Sequence, residues 1–210
     1  ITLTNEGLLL RRRAEEILQL VDKTEEELQE KEEQVEGKIT LGCGEIASVQ
    51  LLPRLFAAFS EKYPRVTYDL YTATADHVKE QMDQGLIDIG LLLEPIDIEK
   101  YDFIRLPVKE RWVVLMRPDS PLAGKESVTA EELAGLPLSL PRRMRVQGEL
   151  ASWFGDFYEK LSVRFHSNLS TNAAMMVHSG LAYAIVIEGA VPFWDQTKVT
   201  YRPLSPELST

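Results

Sequence analysis

The sequence predicts an α/β protein of two lobes, preceded by one long helix. Residues 1–37 keep a helical period, and neither Gly nor Pro interrupts them between Gly7 and Gly37. Two later runs, 38–109 and 110–198, each alternate strand-like with helix-like segments. Such alternation is typical of a parallel sheet with helical crossovers, and ligands then bind outside the carboxyl ends of the strands. We therefore expect a ligand cleft between two small lobes.

Composition and charge argue against several classes of protein. No window of the 210 residues approaches the roughly 18 apolar residues of a membrane span. The formal net charge is −10, and residues 1–37 contribute −6 of it, with 11 acidic and 5 basic side chains. Such a chain repels nucleic acid, because binding phosphates requires clustered Lys and Arg. The single Cys43 cannot form an internal disulfide, which agrees with a cytoplasmic location.

Residues 1–37 are predicted to form a linker helix that pairs with a second subunit. Thr4 is a suitable N-cap for this helix. Steps of four and three residues give a narrow apolar seam, with charged residues on the other faces. A narrow seam favours a partner helix, and the alternative is a solvated helix docked on its own domain. The seam residues expected at the subunit contact are Leu10, Ile17, Val21, Leu28 and Val35.

The order of the later segments defines the two lobes. In the first lobe, KITLGC, VTYDLYT and IDIGLLL are typical of strands, and the helical segments SVQLLPRLFAAFSEKY and ADHVKEQMDQG lie between them. In the second lobe, RWVVLM, LPLSLP, VRFHSN and LAYAIVI are typical of strands, and VTYRPLS follows as a last strand. The helical segments TAEELAG, VQGELASWFGDFYEKL and STNAAMMVHSG separate them.

The stretch GCGEIA, Gly42 to Ala47, fits a dinucleotide-binding fingerprint, so a nucleotide-dependent enzyme is one alternative. Glu45 argues against it, because a pyrophosphate needs a turn without negative charge. The three histidines and Cys43 lack metal-ligand spacing, and the sequence has no nucleophile elbow. We therefore predict no catalytic residue, no metal and no cofactor.

The stretch PRRMRV is the strongest cluster of positive charge in this acidic chain. Arg142, Arg143 and Arg145 lie at the start of the long predicted helix of the second lobe. Guanidinium groups beside a helix N-terminus can hold an anion, whereas a solvated turn paired with surface carboxylates is the alternative. Of the three arginines, Arg145 is the preferred candidate for ligand binding.

Several stretches together resemble the LysR-type transcriptional regulators. The opening LTNEG and the long helix after it are similar to the family's junction between a winged helix-turn-helix and its linker helix. GKITLGCG followed by LLPRLFAAFSEKYPRV resembles the first strand and helix of the effector domain. QMDQGLIDIGLLL and MMVHSGLAYAIVI are similar to two further family segments. The matches follow the family's order over essentially the whole chain.

The resemblance implies two Rossmann-like lobes of the periplasmic-binding-protein type. Lobe 1 would span 38–109, lobe 2 would span 110–198, and 199–210 would return to lobe 1. The resemblance also implies a DNA-binding domain before Ile1, and dimers or tetramers in which a small effector re-spaces the DNA-binding domains. DNA would be contacted only through that domain, and no membrane partner is expected. A solute-binding receptor of the same design is the alternative.

The resemblance further implies where the effector binds. Ile46 stands where family members often place a Ser or Thr hydroxyl, with Glu45 before it and Ser48 after it. The expected effector-binding residues are Glu45, Ile46, Ser48, Thr74, Arg145, Ser170, Thr171, Ile187 and Glu188. They suggest a small polar or anionic metabolite bound mainly by the second lobe, or a zwitterion if Glu45 or Glu188 faces inward.

Overall fold

The computed structural model describes residues 4–29, 35–94, 96–191 and 194–209, and of residues 26–29 it describes only the backbone. The helices are α1 (Asn5–Gln29), α2 (Leu52–Lys62), α3 (Ala75–Asp83), α4 (Ala130–Leu133), α5 (Met144–Phe154) and α6 (Ser170–His178). The strands are β1 (Glu36–Cys43), β2 (Arg65–Thr72), β3 (Ile89–Leu91), β4 (Trp112–Met116), β5 (Val128–Thr129), β6 (Pro137–Pro141), β7 (Ser162–Ser167), β8 (Tyr183–Ile187) and β9 (Thr200–Ser205). None of these helices is both long and apolar enough to cross a membrane.

The described chain divides into two compact units. Unit 1 comprises Ile1–Cys43, Gln50–Thr72 and Asp76–Leu91, and unit 2 comprises Gly44–Val49, Ala73–Ala75 and Leu92–Thr210, as far as their residues are described. The sequence instead predicts one boundary after residue 109. The observed boundary differs because some residues before 109 contact unit 2. The Ala47 N–H donates a hydrogen bond to Glu110, and Leu93 and Glu94 line a cavity of unit 2.

Unit 1 is built on a parallel three-stranded sheet in the order β2-β1-β3. Leu41 in the central strand pairs with Leu70 on one side and with Ile89 on the other. The next residue, Gly42, packs so closely that an added Cβ would lie 2.9 Å from the Cδ1 atom of Ile87. The predicted parallel arrangement is therefore confirmed for this unit, and Gly42 serves close packing here.

Helix α1 begins where the sequence predicts. The Thr4 hydroxyl accepts a hydrogen bond from the Gly7 N–H at 3.1 Å, as expected of an N-cap. Lys23 fixes the helix to the rest of unit 1, because its Nζ donates to Asp88 Oδ1 at 2.6 Å and to the Gly85 carbonyl at 2.9 Å. The helix is thus held on one face by a polar contact.

The predicted pairing seam of α1 is exposed in this structure. Leu10, Ile17 and Val21 are 71%, 60% and 46% exposed, and Val35 beyond the helix is also exposed. The side chain of Leu28 lies outside the described residues. At 100° per residue the seam lies about a quarter turn or more from Lys23, so docking within unit 1 leaves it uncovered.

Unit 2 contains a six-stranded sheet in the order β5-β9-β4-β8-β6-β7. Its central strand β4 is buried along its whole length, and alternate side chains enter the hydrophobic clusters on its two faces. Val114 packs in the cluster that includes Phe154 of α5, and Val113 packs in the cluster that includes Ala173 of α6. The sheet is mixed, because β4 runs antiparallel to β8 and β9 whereas β6 runs parallel to β7 and β8. The expectation of a purely parallel sheet is corrected for this unit.

The predicted return of residues 199–210 to the first lobe is also corrected. Strand β9 pairs antiparallel with β4 and parallel with β5, both of which belong to unit 2. The physical reason lies in burial, because Val199 and Leu204 are both buried in hydrophobic clusters of unit 2. A bridge between Ser209 and Arg111 extends the same attachment toward the end of the described chain.

Candidate functional site

Unit 2 contains a cavity of about 90 Å³ at the carboxyl ends of β6, β7 and β8. The wall comprises these strand ends, the turn before α5 and the start of α6. Leu140, Val146 and Ile187 provide apolar surface, and Arg142 and Arg143 provide positive charge. Ligands of α/β sheets bind at this edge, outside the carboxyl ends of the strands. The cavity is therefore the candidate ligand site of this unit.

Hydrogen bonds hold the arginine turn against the cavity. The Arg142 N–H donates to the Ser167 carbonyl at 2.9 Å, and Gln147 Nε2 donates to the carbonyl oxygens of Pro141 and Arg142 at 3.1 Å and 3.3 Å. The hydroxyls of Ser139 and Ser167 lie 3.4 Å apart and pair with each other. Among the residues that the structure describes, no side chain caps the N-terminus of α5, so this end of the helix keeps its partial positive charge beside the cavity.

The N-terminus of α6 is occupied by a carboxylate of the same chain. Glu45 Oε2 accepts hydrogen bonds from the N–H groups of Ser170 at 2.5 Å and Thr171 at 3.2 Å, and Oε1 accepts from the Thr171 hydroxyl. A carboxylate at a helix N-terminus satisfies N–H groups that lack helical partners, and the helix dipole favours its charge. A ligand anion at α6 would therefore have to compete with Glu45.

A second carboxylate is buried beside β8. Glu110 is only 3% exposed, and it accepts hydrogen bonds from the Ala47 N–H and, at 3.2 Å, from the Gly189 N–H. Burial raises the pKa of Glu110, although these two N–H groups oppose that change. Gly189 has no room for a side chain, because an added Cβ would lie 2.6 Å from Glu110 Oε1. Glu45 and Glu110 thus fix the loop 44–49 within unit 2.

Glu188 forms an ion pair with Arg111. Both Nε and Nη2 of Arg111 donate to the carboxylate, the latter at 2.8 Å. These hydrogen bonds lower the pKa of Glu188, so the group is ionised at neutral pH. Because Arg111 and the α6 N-terminus bind Glu188 and Glu45, neither carboxylate supports the expected contact with a zwitterionic ligand.

The family model described as the LysR substrate binding domain matches residues 32–210. The chain belongs to this family. It is the effector-binding regulatory domain of a LysR-type transcriptional regulator. The resemblance seen in the sequence motifs is thereby confirmed.

Curated relatives of the regulatory domain are regulators too. The HTH-type transcriptional regulator YvbU of Bacillus subtilis is 28% identical, over 99% of this chain and 70% of that protein. The Hca operon transcriptional activator HcaR of Escherichia coli is 27% identical, over 82% of this chain and 58% of that protein. The match therefore covers only part of the length of each relative.

Solved structures show the same fold. HinK, a LysR family transcriptional regulator from Pseudomonas aeruginosa, is 22% identical with a TM-score of 0.65, over 100% of this chain and 74% of that chain. The Synechocystis CcmR regulatory domain, solved in complex with 2-PG, is 19% identical with a TM-score of 0.65, over 81% of this chain and 82% of that chain. The predicted α/β fold of the periplasmic-binding-protein type is confirmed.

The expected effector-binding residues all lie in unit 2 of the regulatory domain, but only some of them line the cavity. Ser170 and Ile187 line the cavity. Ile46 and Ser48 are buried and Thr74 is half-buried, and the cavity wall includes none of these three. Their roles in effector binding stay predictions.

The preference for Arg145 among the three arginines does not match the geometry. Arg145 is exposed and lies outside the cavity wall, which Arg142 and Arg143 form instead. Arg142 and Arg143 lie in the turn between the carboxyl end of β6 and the start of α5, directly at the cavity, whereas Arg145 belongs to α5 and its side chain is exposed.

Sequence reasoning missed Trp112 and Glu110 of the regulatory domain. Trp112 lines the cavity, but its sequence pattern indicates only a residue of a buried strand. Glu110 precedes that strand, and its sequence position gives no sign of burial. One signal was available for each. A Trp within an aliphatic run carries a polar N–H into a core, and a Glu at a strand entry that becomes buried needs N–H partners.

Proposed function

We propose that this domain senses a small polar or anionic metabolite in the cavity of unit 2. The observation that supports this proposal is a cavity with apolar walls and two arginines, at the strand ends of a LysR substrate-binding domain. The lobes or subunits of such a regulator exist in two arrangements. An effector that binds one arrangement more tightly increases the fraction of molecules in that arrangement. In the full regulator, acting in the cytoplasm, this shift re-spaces the DNA-binding domains. The domain itself catalyses no reaction.

The same proposal assigns residues 1–37 to pairing with a second copy of the chain. The exposed seam on α1 supports this role, because three of its apolar side chains, Leu10, Ile17 and Val21, are about half exposed or more. The net charge of −10 supports the proposal that another domain contacts DNA, because an acidic chain repels the DNA phosphates.

Effector binding is tested by a thermal-shift screen of the 210-residue chain against amino acids, small organic acids, sugars and NAD(P). A ligand at about one hundred times its Kd stabilises the protein by about 2.7 kcal/mol, which raises Tm by roughly 5–10 °C. We expect such a shift from a polar or anionic compound. A shift caused by NAD(P) alone would contradict the sensor function.

A matched pair of variants locates the binding site. Ala173→Val adds volume to the cavity wall, whereas Ala151→Val makes the same change on α5 outside that wall. We expect the ligand-induced shift to fall in Ala173→Val and to stay unchanged in Ala151→Val. Equal shifts in the two variants would place the ligand elsewhere.

Pairing through α1 is tested by the double variant Ile17→Glu with Val21→Glu. We expect it to dissociate the oligomer, because the interface would bury two carboxylates on each helix without partners. Sedimentation velocity measures the change in assembly. Leu8→Glu is the control, since Leu8 is 54% exposed and lies on the opposite side of α1 from the seam. An unchanged oligomer in the double variant would show that the seam does not pair.

A further inference from the structure

Glu45 occupies the N-terminus of α6 as a bound anion would. Its Oε2 accepts hydrogen bonds from the N–H groups of Ser170 at 2.5 Å and Thr171 at 3.2 Å, and its Oε1 accepts from the Thr171 hydroxyl. The dipole of the nine-residue helix adds to the attraction for negative charge. Glu45 forms no ion pair with any residue that the structure describes. The helix N–H groups and one hydroxyl therefore hold this carboxylate without a cation.

The residues after Glu45 close loop 44–49 by burial and close packing. Ile46 is 7% exposed. The Ala47 N–H donates to Glu110, and an added Cβ at Gly189 would lie 2.7 Å from the Ala47 Cα. These contacts lie one and two residues beyond the glutamate that binds α6, so the chain is too short between them for the loop to open at one place only.

Desolvation of Glu110 opposes closure of the same loop. Glu110 is 3% exposed, and burial raises its pKa more than its two N–H partners lower it. No cation among the described residues forms an ion pair with it. Opening the loop would remove Ala47 and admit water to this carboxylate. Favourable hydrogen bonds and unfavourable desolvation therefore oppose each other, as in a loop that has both a closed and an open state.

Ser170 belongs both to the cavity wall and to the contact with the loop. It lines the cavity, and its N–H donates to Glu45. The negative charge of Glu45 is thus fixed beside the cavity and repels an anion that binds there. Because coupling between two binding events is reciprocal, an anion in the cavity weakens the contact of Glu45 with α6.

We propose that loop 44–49 is an autoinhibitory latch, with Glu45 as its internal ligand for α6. The latch is closed without effector, and an anionic effector in the cavity opens it. Glu45, Ile46 and Ala47 leave their contacts together when it opens. The coupling to an effector rests on the proposed function, whereas the latch itself does not.

Amide hydrogen exchange, followed by NMR in the 210-residue chain, tests the latch without any ligand. We expect Glu45→Ala to speed exchange at Ser170, Thr171 and Ala47 by at least about tenfold. The Ala47 amide is decisive, because it donates to Glu110 and not to Glu45. If Ala47 keeps its wild-type rate, the contacts of the loop are independent and there is no latch.

Two further variants support this measurement. Glu159→Ala is the matched control at an exposed glutamate, and it should leave all three amides unchanged. Glu45→Gln keeps the size of the side chain, and it should speed the same three amides by a smaller factor, because an amide oxygen is a weaker acceptor than a carboxylate. The amides of β4, in the centre of the unit 2 sheet, report global unfolding. If the amides of β4 speed up as much as that of Ala47 in both Glu45 variants, Glu45 stabilises the whole unit and is not part of a latch.

Acetate tests whether Glu45 acts as a ligand of α6. Acetate is a carboxylate that is not attached to the loop, and acetamide is its neutral control of the same size. In Glu45→Ala we expect acetate to slow exchange at Ser170 and Thr171 in a saturable way and to leave Ala47 fast, because acetate fills the helix N-terminus without closing the loop. Acetamide should slow neither. If acetate has no effect on these two amides, the α6 N-terminus is not an anion site and Glu45 is not its ligand.

The coupling to an effector is tested in the wild-type chain with propionate, malonate and succinate. We expect an acid that raises Tm to speed exchange at Ala47, although ligand binding slows exchange elsewhere. Ala173→Val, which narrows the cavity, should remove this acceleration. If an acid raises Tm and the Ala47 rate does not rise, the effector does not open the latch and the sensor function stands.

Failure of the sensor function gives a different result. If none of the three acids raises Tm while another class of compound in the thermal-shift screen does, the coupling to an anion is wrong and the domain is still a sensor. If no compound raises Tm, the proposed function fails and the coupling fails with it. Exchange at Ala47 in Glu45→Ala decides on the latch itself in every case.

Discussion

Replacing Gly189 by Ala is expected to destabilise unit 2 by about 2–3 kcal/mol, the range of an overpacked core site that also strains buried hydrogen bonds. The new Cβ would overlap the backbone N of Ala47 and lie 2.7 Å from its Cα. Both backbones would have to separate. Glu110 would then lose the geometry in which it accepts from both N–H groups.

Urea denaturation followed by tryptophan fluorescence measures this effect on the correct unit. Trp112, Trp153 and Trp194 all belong to unit 2. Gly148→Ala is the matched control, because Gly148 lies inside α5 and, apart from its chain neighbours and the backbone of its own helix, no heavy atom of the described residues lies within 4 Å of its added Cβ. Alanine is favoured over glycine within a helix, so Gly148→Ala should stabilise unit 2 by about 0.5–1 kcal/mol. A neutral Gly189→Ala would show that the loop 44–49 does not approach Gly189 as closely as the structure indicates.

Local periodicity predicted most helices and strands of this chain but not how the strands of unit 2 pair. The run RWVVLM has the pattern of a strand, and that pattern is the same whichever strands pair with it. Its antiparallel pairing with β8 and β9 depends on residues far along the chain. The same limit explains the error at residues 199–210. Burial of Val199 and Leu204 in unit 2 decides their place, and the local pattern does not specify which core receives them.

Few residues of the candidate site were predicted from the sequence: of those expected to contact the effector, Ser170 and Ile187 line the cavity, and Arg145 does not. Glu45, Ser170 and Thr171 were all expected to contact the effector, and the structure brings the three together. Glu45 accepts hydrogen bonds from the other two across more than 120 residues of chain, so a carboxylate of the protein takes the place expected for that of the ligand. Spacing along a sequence cannot reveal such an internal pairing. For the same reason, the sequence does not show that the buried Nε1 of Trp112 has no hydrogen-bond partner among the described residues.

Phe154→Ala should lower the free energy of unfolding of unit 2 by about 3–5 kcal/mol, the usual cost of truncating a fully buried aromatic side chain. Phe154 is 1% exposed at the end of α5, and its ring meets Trp153 edge to face with centroids 4.9 Å apart. It packs in the same cluster as Val114 and Val146, so the loss would propagate from the centre of the sheet to the cavity wall.

Met144→Ala supplies the control for that change on the same helix. Met144 begins α5 and is 86% exposed, so its truncation should change the free energy of unfolding by no more than about 0.5 kcal/mol. Because Val146 contributes to both the cluster and the cavity wall, Phe154→Ala should also weaken effector binding although Phe154 itself does not line the cavity. If Phe154→Ala unfolded no more easily than Met144→Ala, α5 would not pack on β4 as described. The position of the arginine turn that depends on this packing would then be wrong as well.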